Sequence, residues 1–223
     1  MPLITHGGAG WLATPNSRGG IIEGDKYDPA FIEIDINQTS DGLLVLHHGE
    51  VRRFVRGKCM RETYLEIKKR FPEVLTLDEL GSIKVRAPYM FDIKVLELSS
   101  LKMIAELIKK QGHKNFAFTS PHPAAMIYMH EQFPSADVFQ SQPYHHGPIA
   151  ALELARKHKF SGISLNKWWL TPFVYNLCKL HGKKIGVYTI DGRRKLKYAQ
   201  LLFPGAYIVT NQPDVYRKLF PTD

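Results

Sequence analysis

Short runs rich in β-branched and aromatic residues recur eight times along this chain, and helical patterns lie between most of them. The pattern predicts strands at 2–5, 31–36, 88–93, 115–119, 136–140, 161–165, 184–190 and 206–209. Helices are expected at 96–111, 121–132, 147–158, 171–181, 193–203 and 213–219. In the stretch "LELSSLKMIAELIKKQG", Leu98, Leu101, Ile104 and Ile108 recur at helical spacing, with Gly112 placed to end the helix. Eight strands alternating with helices over 223 residues restrict the chain to few architectures. The one expected is an α/β fold, a parallel (β/α)8 TIM barrel. An open doubly wound sheet is the alternative, but no glycine-rich phosphate loop follows any strand.

Two connections break the alternation. Residues 11–29 are dense in Gly, Pro, Asn and Ser and show no apolar stripe, so an irregular first β–α connection without a helix is expected. After the second strand comes an insertion, 37–87. It holds a possible hairpin arm at "LLVLHH", a helix near 63–71 and a short "TLDEL" turn. One domain over 1–223 absorbs all of this.

Two strands carry chemistry. In an extended run, residues i and i+2 share a face, about 6–7 Å apart. In "FIEIDIN", Ile32, Ile34 and Ile36 take one face and Glu33 and Asp35 the other. In a barrel the isoleucines meet the helices, so the carboxylates point inward. Burying two negative charges there is costly unless a cation compensates. "FDIKV" repeats the geometry with Asp92 and Lys94. Glu33, Asp35 and Asp92 converging at the mouth make an oxygen-rich site for one divalent cation, Mg²⁺ or Ca²⁺. Lys94 beside them supplies a fixed positive charge for a phosphate oxygen; the alternative is a buried ion-pair network. His6 closes the first strand and His48 follows the second, both suited to acid and base work near neutral pH. In an extended run His47 points away from His48, so only one of the two can serve.

The net charge of +9, from 30 basic and 21 acidic residues, favours an acidic partner. The excess is spread over "EIKKRF", "LIKKQG", "ARKHKF" and "GRRKLK" with no accompanying nucleic-acid motif, so nucleic acid is not the expected partner. A small phosphate-bearing substrate explains the field equally well. Apolar runs fall short of the roughly 18 residues that span a membrane, and no secretory leader is expected before "PLITH". Cys59 and Cys178 share no ligand or redox spacing, which points to free thiols and a cytoplasmic location. The sequence specifies no oligomeric state.

Taken together, "ITHGG", "FIEIDINQTSDGLLVLHHGE", "VLTLDEL", "MFDIKV", "VYTIDG" and "YIVTNQPDV" resemble, in order and over nearly the whole chain, the glycerophosphodiester phosphodiesterases. The specific part is Glu33-x-Asp35 followed by Thr39, Asp41-Gly42, Val45 and His48. The resemblance implies a TIM barrel enzyme that hydrolyses phosphodiesters with a divalent cation. It implies catalytic roles for His6 and His48, metal binding by Glu33, Asp35 and Asp92, and phosphate contact by Lys94. Asp92 stands where many members carry Glu, and Tyr188 where many carry a tryptophan near the substrate. It also implies a cyclic phosphate intermediate.

The departures are specific. Gly7 replaces the arginine of the usual His-Arg-Gly, whose guanidinium grips phosphate. Gly49 replaces an aspartate after the second histidine, and the Pro-Glu-Asn-Thr helix start is absent from 11–29. Arg18, Arg52, Arg53 and Lys167 are the candidate replacements for the missing guanidinium, and Gly7→Arg is expected to raise kcat/KM. Hydrolysis of glycerophosphodiesters is therefore the leading expectation. The alternatives are a barrel that binds phosphate ligands with weak or no turnover, and lysophospholipase D or sphingomyelinase D-like chemistry.

Overall fold

The computed structural model describes residues 1–49, 61–142 and 146–221. Its strands are β1 (Leu3–Thr5), β2 (Phe31–Gln38), β3 (Leu44–Leu46), β4 (Leu75–Thr76), β5 (Tyr89–Ile93), β6 (Ala117–Ser120), β7 (Asp137–Ser141), β8 (Gly162–Asn166), β9 (Lys184–Tyr188) and β10 (Tyr207–Thr210). The helices are α1 (Arg18–Asp25), α2 (Tyr64–Arg70), α3 (Leu77–Leu80), α4 (Leu98–Gln111), α5 (Pro123–Gln132), α6 (Pro148–Lys157), α7 (Pro172–Leu180), α8 (Arg193–Leu202) and α9 (Pro213–Leu219). Eight strands pair in the order β1-β10-β9-β8-β7-β6-β5-β2, and β2 returns to β1. Every rung of that ring is parallel. The chain is a closed (β/α)8 barrel, as the alternation predicts.

Two layers of apolar side chains hold it. The outward faces of the strands bury Ile32, Ile34, Ile36, Phe91, Phe118, Val138, Ile163, Val187 and Ile208 against the helices. Each such side chain contributes about 1.5–3 kcal/mol on burial. Inside the barrel a smaller layer of Ile4, Phe31, Met90, Ala117, Phe139 and Val209 fills the lower half. That plug keeps water from the floor of whatever site sits above it.

The insertion follows expectation. β2 runs two residues further than predicted; β3 pairs antiparallel with its end, and β4 pairs antiparallel with β3. Both α2 and α3 open with a capping box, Thr63 with Glu66 and Thr76 with Glu79. In α4 the buried stripe is Leu101, Ile104, Ala105 and Ile108, and Gly112 ends the helix at φ +65°. Leu98, expected on that stripe, is exposed at the first helical position.

The first connection needs correcting. It contains a short 3₁₀ turn at Gly10–Leu12 and then the eight-residue helix α1, capped by Ser17, whose hydroxyl accepts the Gly20 N–H at 3.0 Å. So a helix start survives, in Pro15-Asn16-Ser17. Apolar periodicity missed it because the helix faces the barrel with glycines. A Cβ on Gly20 would lie 2.5 Å from Thr14 O, and one on Gly24 would lie 2.2 Å from Gly8 O. Backbone packs on backbone here, and no stripe of larger side chains could fit.

Cys178 is a buried free thiol whose pKa burial pushes up to about 11; Cys59 lies outside the described residues. Among the described residues, no helix is long and apolar enough to cross a membrane.

Candidate active site

The register of β2 and β5 places Asp35 directly opposite Asp92. Glu33 sits one inward position below Asp35. One oxygen from each of the three carboxylates falls within 4.8 Å of the others. The sequence-predicted acids therefore converge. Glu33 and Asp35 are buried, whereas Asp92 and Lys94 keep 19% and 20% of their side chains exposed towards the mouth.

Lys94 lies between the acids. Its Nζ is 2.9 Å from Asp35 Oδ1 and hydrogen-bonds Asp92 Oδ2. The ion-pair alternative thus coexists with the metal-site reading. Three carboxylates against one ammonium leave two negative charges when all are ionised, which is what a divalent cation neutralises. Asp92 Oδ1 is buried and accepts no hydrogen bond, whereas Asp35 Oδ1 has only the Lys94 ammonium. Buried oxygens of that kind are costly to leave bare. An all-carboxylate donor set with unfilled acceptor capacity fits Mg²⁺ or Ca²⁺.

The groups around the acids set their charge. Burial and the Asp35 charge push Glu33 up to about 8. Its Oε2 accepts the Gly7 N–H at 2.8 Å. Burial alone would raise Asp35 too, but Lys94, His48 and Asn16 outweigh it and hold its carboxyl below the usual range. Asp92 is raised by burial against the pull of Lys94. Burial opposes the Lys94 charge, and the three carboxylates overcome it, so the ammonium stays protonated far above neutral pH.

His6 ends β1 beside Glu33. Burial works against charging it, and the Glu33 carboxylate, Asn211 and Asp35 more than offset that, moving the imidazole upward. His6 Nδ1 lies 2.7 Å from Asn211 Oδ1. Asn211 Nδ2 donates to Asp191 Oδ2 at 2.9 Å, and the Asn211 N–H donates to Asp191 Oδ1 at 2.8 Å. That orients the amide with its oxygen towards His6, so neutral His6 carries its proton on Nδ1 and leaves Nε2 as the acceptor.

His48 is exposed on the loop after β3, and its charge favours ionisation of both Asp35 and Asp92. His47 turns elsewhere: it packs on Phe71 at 4.8 Å between ring centroids and accepts the Gly49 N–H. His47 and His48 thus have different surroundings. Tyr188, at the end of β9 opposite β5, is half-buried against the interior layer.

Asn16, Asn211 and Asp191 hold the candidate site side chains in place, and sequence reasoning did not single them out. Asn16, at φ +59°, clamps Asp35 twice: Nδ2 donates to Asp35 Oδ2 at 2.8 Å, and Oδ1 accepts the Asp35 N–H at 2.9 Å. The available signals were polar residues just ahead of a helix, in "TPNS", and directly after strand ends, in "TIDG" and "VTNQPD". Of the candidates for the missing guanidinium, Arg18 donates to Ser82 Oγ at 2.6 Å outside the barrel wall, and Arg52 and Arg53 lie outside the described residues. Lys167 sits on the loop after β8, its Nζ donating to Thr189 O at 3.1 Å beside Tyr188.

No protein-family model matches the chain, and neither does any curated protein. Solved structures match over its full length. A glycerophosphodiester phosphodiesterase from Parabacteroides distasonis superposes with TM-score 0.80 at 19% identity, over 98% of this chain and 95% of that one. One from Thermotoga maritima gives 0.74 at 18% identity, over 98% of each chain. A phosphodiesterase from Oleispira antarctica, solved with the product sn-glycerol-3-phosphate, gives 0.82 at 16% identity, over 100% of this chain and 97% of that one. At these identities the likeness establishes a common barrel.

Proposed function

We propose that the chain is a metal-dependent phosphodiesterase acting on glycerophosphodiesters or related lysophospholipids. The observation that carries this reading is the cluster of Glu33, Asp35 and Asp92 oxygens within 4.8 Å, next to His6. The match to glycerophosphodiester phosphodiesterases over the whole barrel supports it.

In this scheme Glu33, Asp35 and Asp92 hold the cation. When bound, the cation offsets charge building on phosphoryl oxygens and acidifies a hydroxyl beside it. Lys94, fixed between Asp35 and Asp92, meets a second phosphate oxygen. His6 takes the proton of the attacking hydroxyl on Nε2, since Nδ1 is committed to Asn211. His48, exposed at the mouth, returns a proton to the leaving alcohol. In a glycerophosphodiester the nearest nucleophile is the glycerol hydroxyl next to the phosphate, and intramolecular attack has a large advantage over free water. The product of that step is a cyclic phosphate, opened by water in a second step. Tyr188 lines the wall that receives the alcohol.

Gly7 favours the second reading, a phosphate-binding barrel with weak turnover. Its N–H is committed to Glu33, and no guanidinium stands in its place.

A panel of glycerophosphocholine, glycerophosphoethanolamine and a lysophospholipid, with Mg²⁺, Ca²⁺ or chelator, separates the two readings. Cation-dependent release of free alcohol is expected. Replacing the attacking glycerol hydroxyl by hydrogen should abolish it. Equal rates for the deoxy substrate would show direct attack by water, and binding without turnover on the whole panel would leave the second reading standing.

A further inference from the structure

All three tryptophans of the chain, Trp11, Trp168 and Trp169, lie on connections that leave the C-terminal end of the barrel. A parallel barrel gathers those connections on one face, around the mouth of the site. There Trp168 is 80% exposed, Trp11 66%, Trp169 47%, and Phe173, in the first turn of α7, 68%. Side chains this open contribute little to the fold, and large aromatics clustered in water mark a contact surface.

Charge is interleaved with them. α8 begins with Arg193, Arg194 and Lys195, all exposed, and no acid shares that turn. β9, which feeds α8, lies between β8, which feeds Trp168, and β10. The Trp11 N–H donates to Asn211 O at 2.9 Å, tying the β1 connection to the β10 one. The rim therefore runs from aromatic to cationic and back to aromatic over neighbouring connections. Indole and phenyl rings settle at the boundary between headgroups and acyl chains, while arginine and lysine pair with anionic headgroups. The net charge of +9 acts in the same direction.

We propose that this rim docks the mouth of the barrel on an anionic lipid surface, so that the phosphodiester substrate is presented from that surface. Docking stands on the rim alone. Only the identification of the presented molecule as substrate rests on the phosphodiesterase reading. A substrate delivered this way reaches Lys94 and the acids without crossing bulk water, and its acyl portion stays among the rim aromatics.

The test uses the full chain with vesicles of phosphatidylglycerol and phosphatidylcholine, and with pure phosphatidylcholine vesicles. Sedimentation reports binding. Because every tryptophan sits on the rim, a blue shift of intrinsic emission reports insertion of that face and no other. Binding is expected to the anionic vesicles, weakening with salt. Trp168→Ala/Phe173→Ala and Arg193→Glu/Arg194→Glu should each weaken it by about tenfold or more. Both variants should keep the wild-type Tm and turn over soluble glycerophosphocholine at the wild-type rate. No partition into anionic vesicles overturns the proposal, as does partition untouched by either variant. Tighter binding of a single-stranded oligonucleotide, or a dimer dissolved by the aromatic pair of substitutions, would assign the rim to nucleic acid or to a second copy and overturn it too. Vesicle binding without turnover of any phosphodiester would remove the phosphodiesterase reading and leave docking intact.

Discussion

Asp35 and Asp92 are register partners on adjacent parallel strands, and the Lys94 ammonium reaches both. One lysine cannot neutralise them together with Glu33, and Asp92 Oδ1 is left buried without a hydrogen bond.

The first expected outcome is stabilisation by a cation. Mg²⁺ or Ca²⁺ at about a hundred times its Kd should add roughly 2.7 kcal/mol. For a chain of this size that raises Tm by roughly 5–10 °C. Glu33→Ala and Asp35→Ala should abolish the shift, and chelator should reverse it in the wild type. Thermal unfolding with and without cation measures this apart from any activity, and an unchanged Tm in the wild type would remove the metal site.

Glu33 makes the cation-free protein pH-sensitive. Its folded pKa of about 8 stands above the ordinary 4.5. The stability that goes with its neutral form is therefore complete below about 4.5 and lost as pH rises through about 8. His6 and Asp92 are shifted upward as well and act with the same sign. His47, His113 and His122 are held below their usual range by burial, and oppose it only at pH where an unfolded histidine charges. From about pH 6.5 to 9 the cation-free wild type should lose a few kcal/mol. Glu33→Gln, which keeps an acceptor for Gly7, should flatten the curve. Cation affinity should rise over the same window, because the metal displaces the Glu33 proton. Urea melts at fixed pH, compared between the two proteins, check the sign.

The Asp191–Asn211–His6 chain predicts a change in the pH–rate profile. His6→Ala should cost at least about a hundred-fold in kcat. Asn211→Asp would set a carboxylate against Nδ1, stabilise the imidazolium and move the lower limb of the profile to higher pH. Asn211→Leu removes the acceptor, and should lower kcat more than it changes KM. A merely structural role for Asn211 would leave the limb in place. His47→Ala, by contrast, should leave kcat nearly unchanged, since that ring packs on Phe71.

These residues show where sequence reading reaches and where it stops. The barrel was legible because its strands are short runs rich in β-branched and aromatic residues, buried on both faces, with helical patterns between most of them. The acids were legible because isoleucines at 32, 34 and 36 force Glu33 and Asp35 inward. α1 was not, because glycine packing leaves no apolar signal. Asn16 and Asn211 were not, because their partners are 19 and 205 residues away and only closure of the barrel brings them together. The exposed Trp168 has no sequence signature that separates it from a core tryptophan.

Gly7 is the position where sequence and structure pull in different directions. Restoring an arginine there was expected to raise activity, but the residue sits at φ +56°, and a Cβ would stand 3.0 Å from Pro15 Cβ. The left-handed backbone costs a non-glycine residue about 1–2 kcal/mol. Gly7→Arg should therefore lower Tm by roughly 2–8 °C. The Gly7 N–H would still reach Glu33, so the acid cluster should keep its cation. If the new guanidinium meets the phosphate, kcat/KM rises by roughly ten- to a hundred-fold in spite of the stability loss. Lys167, whose Nζ donates to Thr189 O next to Tyr188, is the described candidate for that work in the wild type. Lys167→Ala should raise KM in the wild type and much less in the Gly7→Arg background, because two cations serving one phosphate are not additive. The double-mutant cycle in kcat/KM measures that coupling. Equal losses in both backgrounds would place the phosphate grip somewhere other than Lys167.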